Sequence, residues 1–199
     1  MTSLTIIDSG GANITSLLSA FERLGVSAEL SREAAVIRGA DRVVLPGVGA
    51  AQDAMTRLRE ADLVDIIRDL RQPVLGVCLG MQLLCDASEE DDVDCLGIFP
   101  GVAQLLPVGS NCPVPNMGWC KTQFTASHPV VRGLDQDDYF YYVHSYAVPE
   151  SGCTIATATH TKPFSAMLAR DNFVAAQFHP ERSSRAGARI LQNFLGWSP

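Results

Sequence analysis

Three times before residue 86 of this 199-residue chain, a short β-rich apolar run ends in a tight turn and gives way to a helical period. Leu4-Thr5-Ile6-Ile7 stops at Asp8-Ser9-Gly10-Gly11; Ile14, Leu17, Leu18, Phe21 and Leu24 then share a helical face, with Asn13 as candidate N-cap and Gly25 as the stop. Arg42-Val43-Val44-Leu45 leads through Pro46-Gly47-Val48-Gly49 into a helical region from about Ala50 to Leu70. Pro73-Val74-Leu75-Gly76-Val77 leads through Cys78 into a helix through Met81, Leu84 and Cys85. Parallel strands need such crossovers, so the repeated unit predicts a mainly parallel sheet with helices on both faces. From Ile98 the character changes, and 139–143, 154–158, 165–169 and 173–178 read as strands that extend the sheet or add a small antiparallel layer. A last helix follows His179-Pro180-Glu181, with Ala186, Ile190, Leu191, Phe194 and Leu195 on one face. The expectation is one α/β domain over residues 1–199: a mainly parallel central sheet flanked by helices, plus a small antiparallel extension.

Composition narrows what such a domain can do. With 47% hydrophobic and 19% charged residues the chain can build its core without metals or cross-links, and neither disorder nor a coiled coil fits. A net charge of −7 without a basic run argues against nucleic-acid and anionic-membrane partners. The six cysteines lack C-x-x-C spacing and read as reduced thiols of a cytoplasmic protein, as does an N-terminus without the positive n-region of a signal peptide. No apolar stretch approaches a membrane span. Glu89-Glu90-Asp91-Asp92 lacks the ligand spacing of a calcium loop and reads as a solvated loop, so neither metal nor cofactor is expected.

Three segments carry candidate chemistry. Gly76-Val77-Cys78-Leu79-Gly80 has a G-x-C-x-G core between a buried strand and a helix, the cysteine version of a nucleophile elbow. Its turn presents the sulfur at a helix N-terminus, where unpaired N–H groups favour thiolate. A buried structural cysteine is the competing reading of that segment alone. Gln177-Phe178-His179-Pro180-Glu181 ends an apolar strand; in an extended chain His179 and Glu181 project the same way, so the carboxylate can orient the imidazole. Pro180 biases His179 toward the extended conformation. Gly47-Val48-Gly49 lies where open α/β sheets place ligands, and its N–H groups, with that of Leu79, can hold an oxyanion, while an ordinary tight βα turn is an equally open reading of that segment alone. Asp8–Asn13 lacks G-x-G-x-x-G and is rejected as a nucleotide loop. His128 and His160 read as structural, whereas for His144 the structural and site-lining readings are equally open.

Taken together, DSGGAN, LPGVGA, GVCLGMQLL, VPNMGW, YYVHSY and QFHPERS resemble the class I glutamine amidotransferases, a flavodoxin-like family, and most resemble the branch serving imidazole glycerol phosphate synthase. The resemblance runs from Asp8 to the final helix and leaves no room for a fused synthase. It implies Cys78 as nucleophile, His179 as general base then acid, and Glu181 as orienter. It implies an oxyanion hole from the backbone of Gly47, Val48, Gly49 and Leu79, and L-glutamine held by Gln82, His144, Ser145 and Tyr146. The ammonia released would pass to a (βα)8-barrel cyclase of the HisF type, in a heterodimer that forms imidazole glycerol phosphate and AICAR. Asn13, Met117, Trp119, Tyr141 and Arg182 would face that partner. The competing readings are a paralogous synthase as partner, a cysteine hydrolase of the same fold, and a non-catalytic binding subunit. The chain departs from the family pattern at Ser9, Ala12, Ala51, Asn116, Cys120 and Arg182, all outside the triad.

Overall fold

A computed structural model describes residues 2–9, 14–47, 49–110 and 112–199. In chain order the elements are β1 (Leu4–Ile7), α1 (Ile14–Arg23), β2 (Ala28–Ser31), α2 (Ala34–Gly39), β3 (Arg42–Gly47), α3 (Ala51–Glu60), α4 (Leu63–Arg68), β4 (Val74–Cys78) and α5 (Leu79–Leu83). There follow β5 (Cys85–Ser88), β6 (Val93–Asp94), β7 (Phe99–Leu105), β8 (Asn116–Phe124), β9 (Tyr139–His144) and β10 (Tyr146–Ala147). The chain closes with β11 (Thr154–Thr159), β12 (Pro163–Arg170), β13 (Phe173–Ala176) and α6 (Ser184–Gly196).

Nine strands form the main sheet in the order β2-β1-β3-β4-β13-β12-β11-β8-β9. The first five are parallel and the last four antiparallel, so the late strands extend the same sheet. A second layer also exists, a four-stranded sheet β10-β7-β5-β6. None of the four strands expected after Ile98 joins it, and its β5–β7 pairing is parallel, so extension of the main sheet is the alternative realised.

The unbroken apolar runs reflect burial on two faces. Val44, Leu75 and Val77 pack with Leu17 and Phe21 of α1 and Ile190 and Phe194 of α6. Their strand neighbours Val43, Leu45 and Val74 pack with Met55, Leu58, Ile67 and Leu83 from the helices on the opposite face. The long helix expected between Ala50 and Leu70 is two helices, because Asp62 turns the chain at φ 55° and lets Leu58 and Leu63 both reach the core. The helix after Cys78 is also shorter than expected, since Cys85 already pairs with Phe99 in the second sheet. Among the described residues no helix is long and apolar enough to cross a membrane.

Candidate active site

Parallel pairing brings the candidate residues to one edge. β3 and β4 lie side by side with Gly47 opposite Cys78, and β4 and β13 with Val77 opposite Ala176. The Gly47 turn, the cysteine and the His179 segment thus leave adjacent strands at their C-terminal ends.

Cys78 adopts φ 54°, ψ −113°. For a residue with a Cβ this conformation costs about 1–3 kcal/mol, which the surrounding packing must offset. A Cβ on Gly80 would overlap the Leu45 carbonyl oxygen, and one on Gly47 would lie 2.7 Å from the Gly80 nitrogen. The glycines let α5 press against β3 and hold the strained turn. Close approach, rather than freedom of φ, is what Gly47 provides; Gly49 is the residue with positive φ, at 91°.

His179 and Glu181 meet by a different route from the one expected. His179 is extended, but Pro180–Arg182 forms a 3₁₀ turn, so strand alternation is not what aligns them. The turn is held by Ser183, whose Oγ donates to His179 O at 2.7 Å, and by α6, where a Cβ on Gly187 would overlap Pro180 O. The resulting contact is short: His179 Nδ1 to Glu181 Oε1 is 2.8 Å, with side chains 4% and 2% exposed.

A cavity of about 480 Å³ opens on Cys78 and His179. Leu79, Gln82, His144, Ser145, Tyr146, Gly49 and Arg182 line it as well, so all four expected substrate residues reach this space, with Leu79 and Gly49 of the expected oxyanion positions and Arg182 of the partner-facing ones; Gly47 is not in the lining. Glu181 sits behind His179, outside the lining. Val48 and Asn13 lie outside the described residues. Met117 and Trp119 are 65% and 52% exposed on β8, and Trp119 pairs edge-on with Tyr141 of β9 at 6.1 Å. The backbone N–H of His179 donates to Tyr141 O at 2.9 Å, which ties this aromatic face to the site.

Two residues of the site carried no role in the sequence reading. Glu90, taken there as part of a solvated loop, lines the cavity and accepts the Ala51 N–H at 2.9 Å. Burial raises its pKa, against the lowering effect of that hydrogen bond. Its neighbour Glu89 accepts the Leu105 N–H at 2.9 Å. The acidic run is therefore a fastened loop, and a carboxylate reaching an apolar-walled cavity could not be read from charge spacing. Gln177 is fully buried with its Nε2 3.9 Å from Cys78 Sγ. Its only sequence signal was its position two residues before His179.

Electrostatics separate the two histidines of the cavity. Burial is the largest influence on both and disfavours the charged ring. For His144 it prevails over the hydrogen bond to Tyr146 O, and with repulsion from His160 and His179 the pKa falls to about 4. For His179 it is outweighed by hydrogen bonds to Cys78 and Glu181 and by their negative charge, and the pKa is pushed up to about 10. A protonated imidazole beside a cysteine sulfur places a proton donor next to a potential nucleophile.

A family model for class-I glutamine amidotransferase matches residues 5–196. The chain is 47% identical over 198 residues to imidazole glycerol phosphate synthase subunit HisH of Vibrio cholerae, covering 96% of this chain and 97% of that one. It is also 47% identical over 198 residues to the HisH subunit of Xanthomonas axonopodis pv. citri, covering 100% and 99% of the two chains. Among solved structures, a glutamine amidotransferase superposes with TM-score 0.76 at 16% identity, over 97% of each chain. A putative GMP synthase subunit from Thermoplasma acidophilum gives 0.74 at 20% identity, over 98% of this chain and 93% of that one. At such identities the structural likeness is one of fold.

Proposed function

This chain belongs to the class-I glutamine amidotransferase family, and from that premise we propose that it is the glutaminase subunit of an imidazole glycerol phosphate synthase. The observation that carries the reading is the Cys78–His179–Glu181 series at the cavity, with the cysteine in a strained elbow and the histidine held protonated. Residues 1–199 act as one amidotransferase domain.

L-Glutamine enters with its α-ammonium toward the Glu90 carboxylate and its side-chain amide toward Cys78. The thiolate attacks the amide carbon, and the oxyanion is held by the Leu79 N–H and those of the Gly47–Gly49 turn, Val48 included. His179 gives its proton to the departing ammonia. Acylation removes the thiolate charge that had helped raise the His179 pKa, so the same chemical step that needs the proton also loosens it. The neutral ring then takes a proton from water, hydroxide cleaves the thioester, and glutamate leaves as thiolate and imidazolium are restored. Glu181 keeps Nδ1 as the donor toward itself and Nε2 toward the chemistry. Gln82 and the His144–Tyr146 backbone complete the substrate's surroundings.

Ammonia near neutral pH is mostly protonated and then not nucleophilic, so its use calls for a closed path to an acceptor. A (βα)8-barrel cyclase of the HisF type, bound as a heterodimer, would supply that acceptor. Exposed Met117, Trp119 and Tyr139, beside Tyr141, support a docking face of the aromatic kind that anchors interfaces. Asn13 and Arg182 belong to the same proposed interface. Free thiols at all six cysteines suit a reducing cytoplasm.

The test is glutamate release from glutamine by the chain purified with its cyclase and the ribulosyl acceptor substrate. Cys78→Ala lowers that rate about 10⁴-fold or more. Undiminished turnover in the variant removes Cys78 as nucleophile, and failure to couple with the standard cyclase points to a paralogous synthase.

A further inference from the structure

Gln177 has no step in the reaction above, yet its buried amide touches two residues that do. Its Oε1 accepts from Gln82 Nε2 at 3.0 Å, and its Nε2 points at Cys78 Sγ at 3.9 Å. The backbone makes this meeting unavoidable. With Ala176 opposite Val77 across parallel strands, the next residues outward are Gln177 and Cys78. Phe178 turns into the core, and Gln177 is fully buried against Cys78 and Gln82, behind the cavity wall.

The orientation of each amide follows by elimination. A carbonyl oxygen only accepts, so the end of Gln82 lying 2.9 Å from Tyr146 O is its NH₂. The second N–H of that nitrogen goes to Gln177, which must therefore present oxygen to Gln82 and NH₂ to the sulfur. The Tyr146 oxygen is itself held by His144 Nδ1 at 2.8 Å, and His144 Nε2 faces Asn116 Nδ2 at 3.1 Å. The relay thus reaches from Asn116 on one wall to the nucleophile on the other.

We propose that Gln177 is a positioning residue of this enzyme: it holds the Gln82 amide with the oxygen as its remaining free end and donates an N–H to the Cys78 thiolate. The proposal rests on the glutaminase reading and deepens it. An N–H aimed at the sulfur favours the anion over the thiol. An oxygen presented by Gln82 selects a donor, such as the substrate's ammonium or amide N–H, and disfavours a carboxylate at that place.

Alkylation of Cys78 by iodoacetamide, followed by mass spectrometry against pH on the full chain, needs no turnover. Gln177→Met removes donor and acceptor at similar volume. The charged or titratable groups around the cavity, His179, Glu181, His144, Tyr146, Glu90 and Arg182, stay unchanged. The variant's profile moves to higher pH, with labelling about tenfold slower below the midpoint. With the cyclase bound, KM for glutamine rises about fivefold to tenfold. Should Gln177→Met not fold, Gln177→Glu keeps the acceptor for Gln82, puts a carboxylate oxygen toward the sulfur and shifts the profile the same way. A folded variant whose profile superimposes on that of the unaltered chain overturns the proposal, because a structural amide would not move thiolate reactivity. Glutamine-protected labelling of Cys78 by a glutamine-analogue electrophile in the unaltered chain tests the glutaminase reading separately.

Discussion

The two walls of the cavity each bury a histidine, and the rings end in opposite protonation states. On the wall made by the ends of β4 and β13, His179 lies between the Cys78 sulfur and the Glu181 carboxyl group and stays protonated to about pH 10. On the wall made by β8 and β9, His144 lies between the Asn116 amide and the Tyr146 carbonyl, and stays neutral down to about pH 4. Burial works in the same direction on both. Full charges outweigh it and dipoles do not, so the neighbours decide which ring can deliver a proton and which can only hold a position.

The charged wall is the more sensitive to change. Glu181→Gln keeps a hydrogen-bond acceptor but removes the negative charge, and kcat in the cyclase complex falls about 100-fold or more. A variant with kcat within about twofold of the parent enzyme would show that Glu181 contributes shape alone. Glu90→Gln changes the site less. It can still accept the Ala51 N–H but loses the ionic partner of the α-ammonium, so KM for glutamine rises about tenfold while kcat holds. Equal losses in kcat and KM would place Glu90 away from the ground-state substrate.

The smallest effect concerns stability. The folded pKa of His179 lies above the ordinary 6.5, so its stabilising contribution is whole below 6.5 and is lost as pH rises through about 10. That of His144 lies below 6.5, so its contribution is whole above 6.5 and is lost as pH falls through about 4. Between pH 7 and 4.5 the unaltered chain should therefore lose about 2 kcal/mol that His144→Gln retains, as read from urea midpoints at the two pH values. Identical losses in both proteins would mean that His144 is not held neutral by the fold.

The same contrast governs what the sequence reveals. The charged wall was legible because its parts are local: glycines around Cys78, and a carboxylate two residues from His179. Even there the alignment comes from the 3₁₀ turn that Pro180 starts after an extended His179, and not from strand alternation. The neutral wall is assembled from distant pieces. Asn116 meets His144 only through the β8–β9 register, and Tyr146 meets Gln82 only because α5 follows the elbow. β2, at the sheet edge, is partly exposed and lacks the apolar run of its neighbours, while β5, β6 and β10 are too short to show a period. Glu90 illustrates the limit most clearly, as its role depends on where a loop is fastened.

The overlap that any side chain at Gly80 would make with the Leu45 carbonyl bears on how such a sequence can drift. The seat of Cys78 leaves no spare volume, and Gly187 imposes the same restriction behind the histidine turn. The Cys78 and His179 turns are thus closed to gradual remodelling. The far wall is less confined at one point, since a Cβ on Gly118 of β8 would meet nothing within 4 Å. Variation in such an enzyme should collect around the chemistry and its docking face, leaving the reaction unchanged while partner and substrate fit are adjusted.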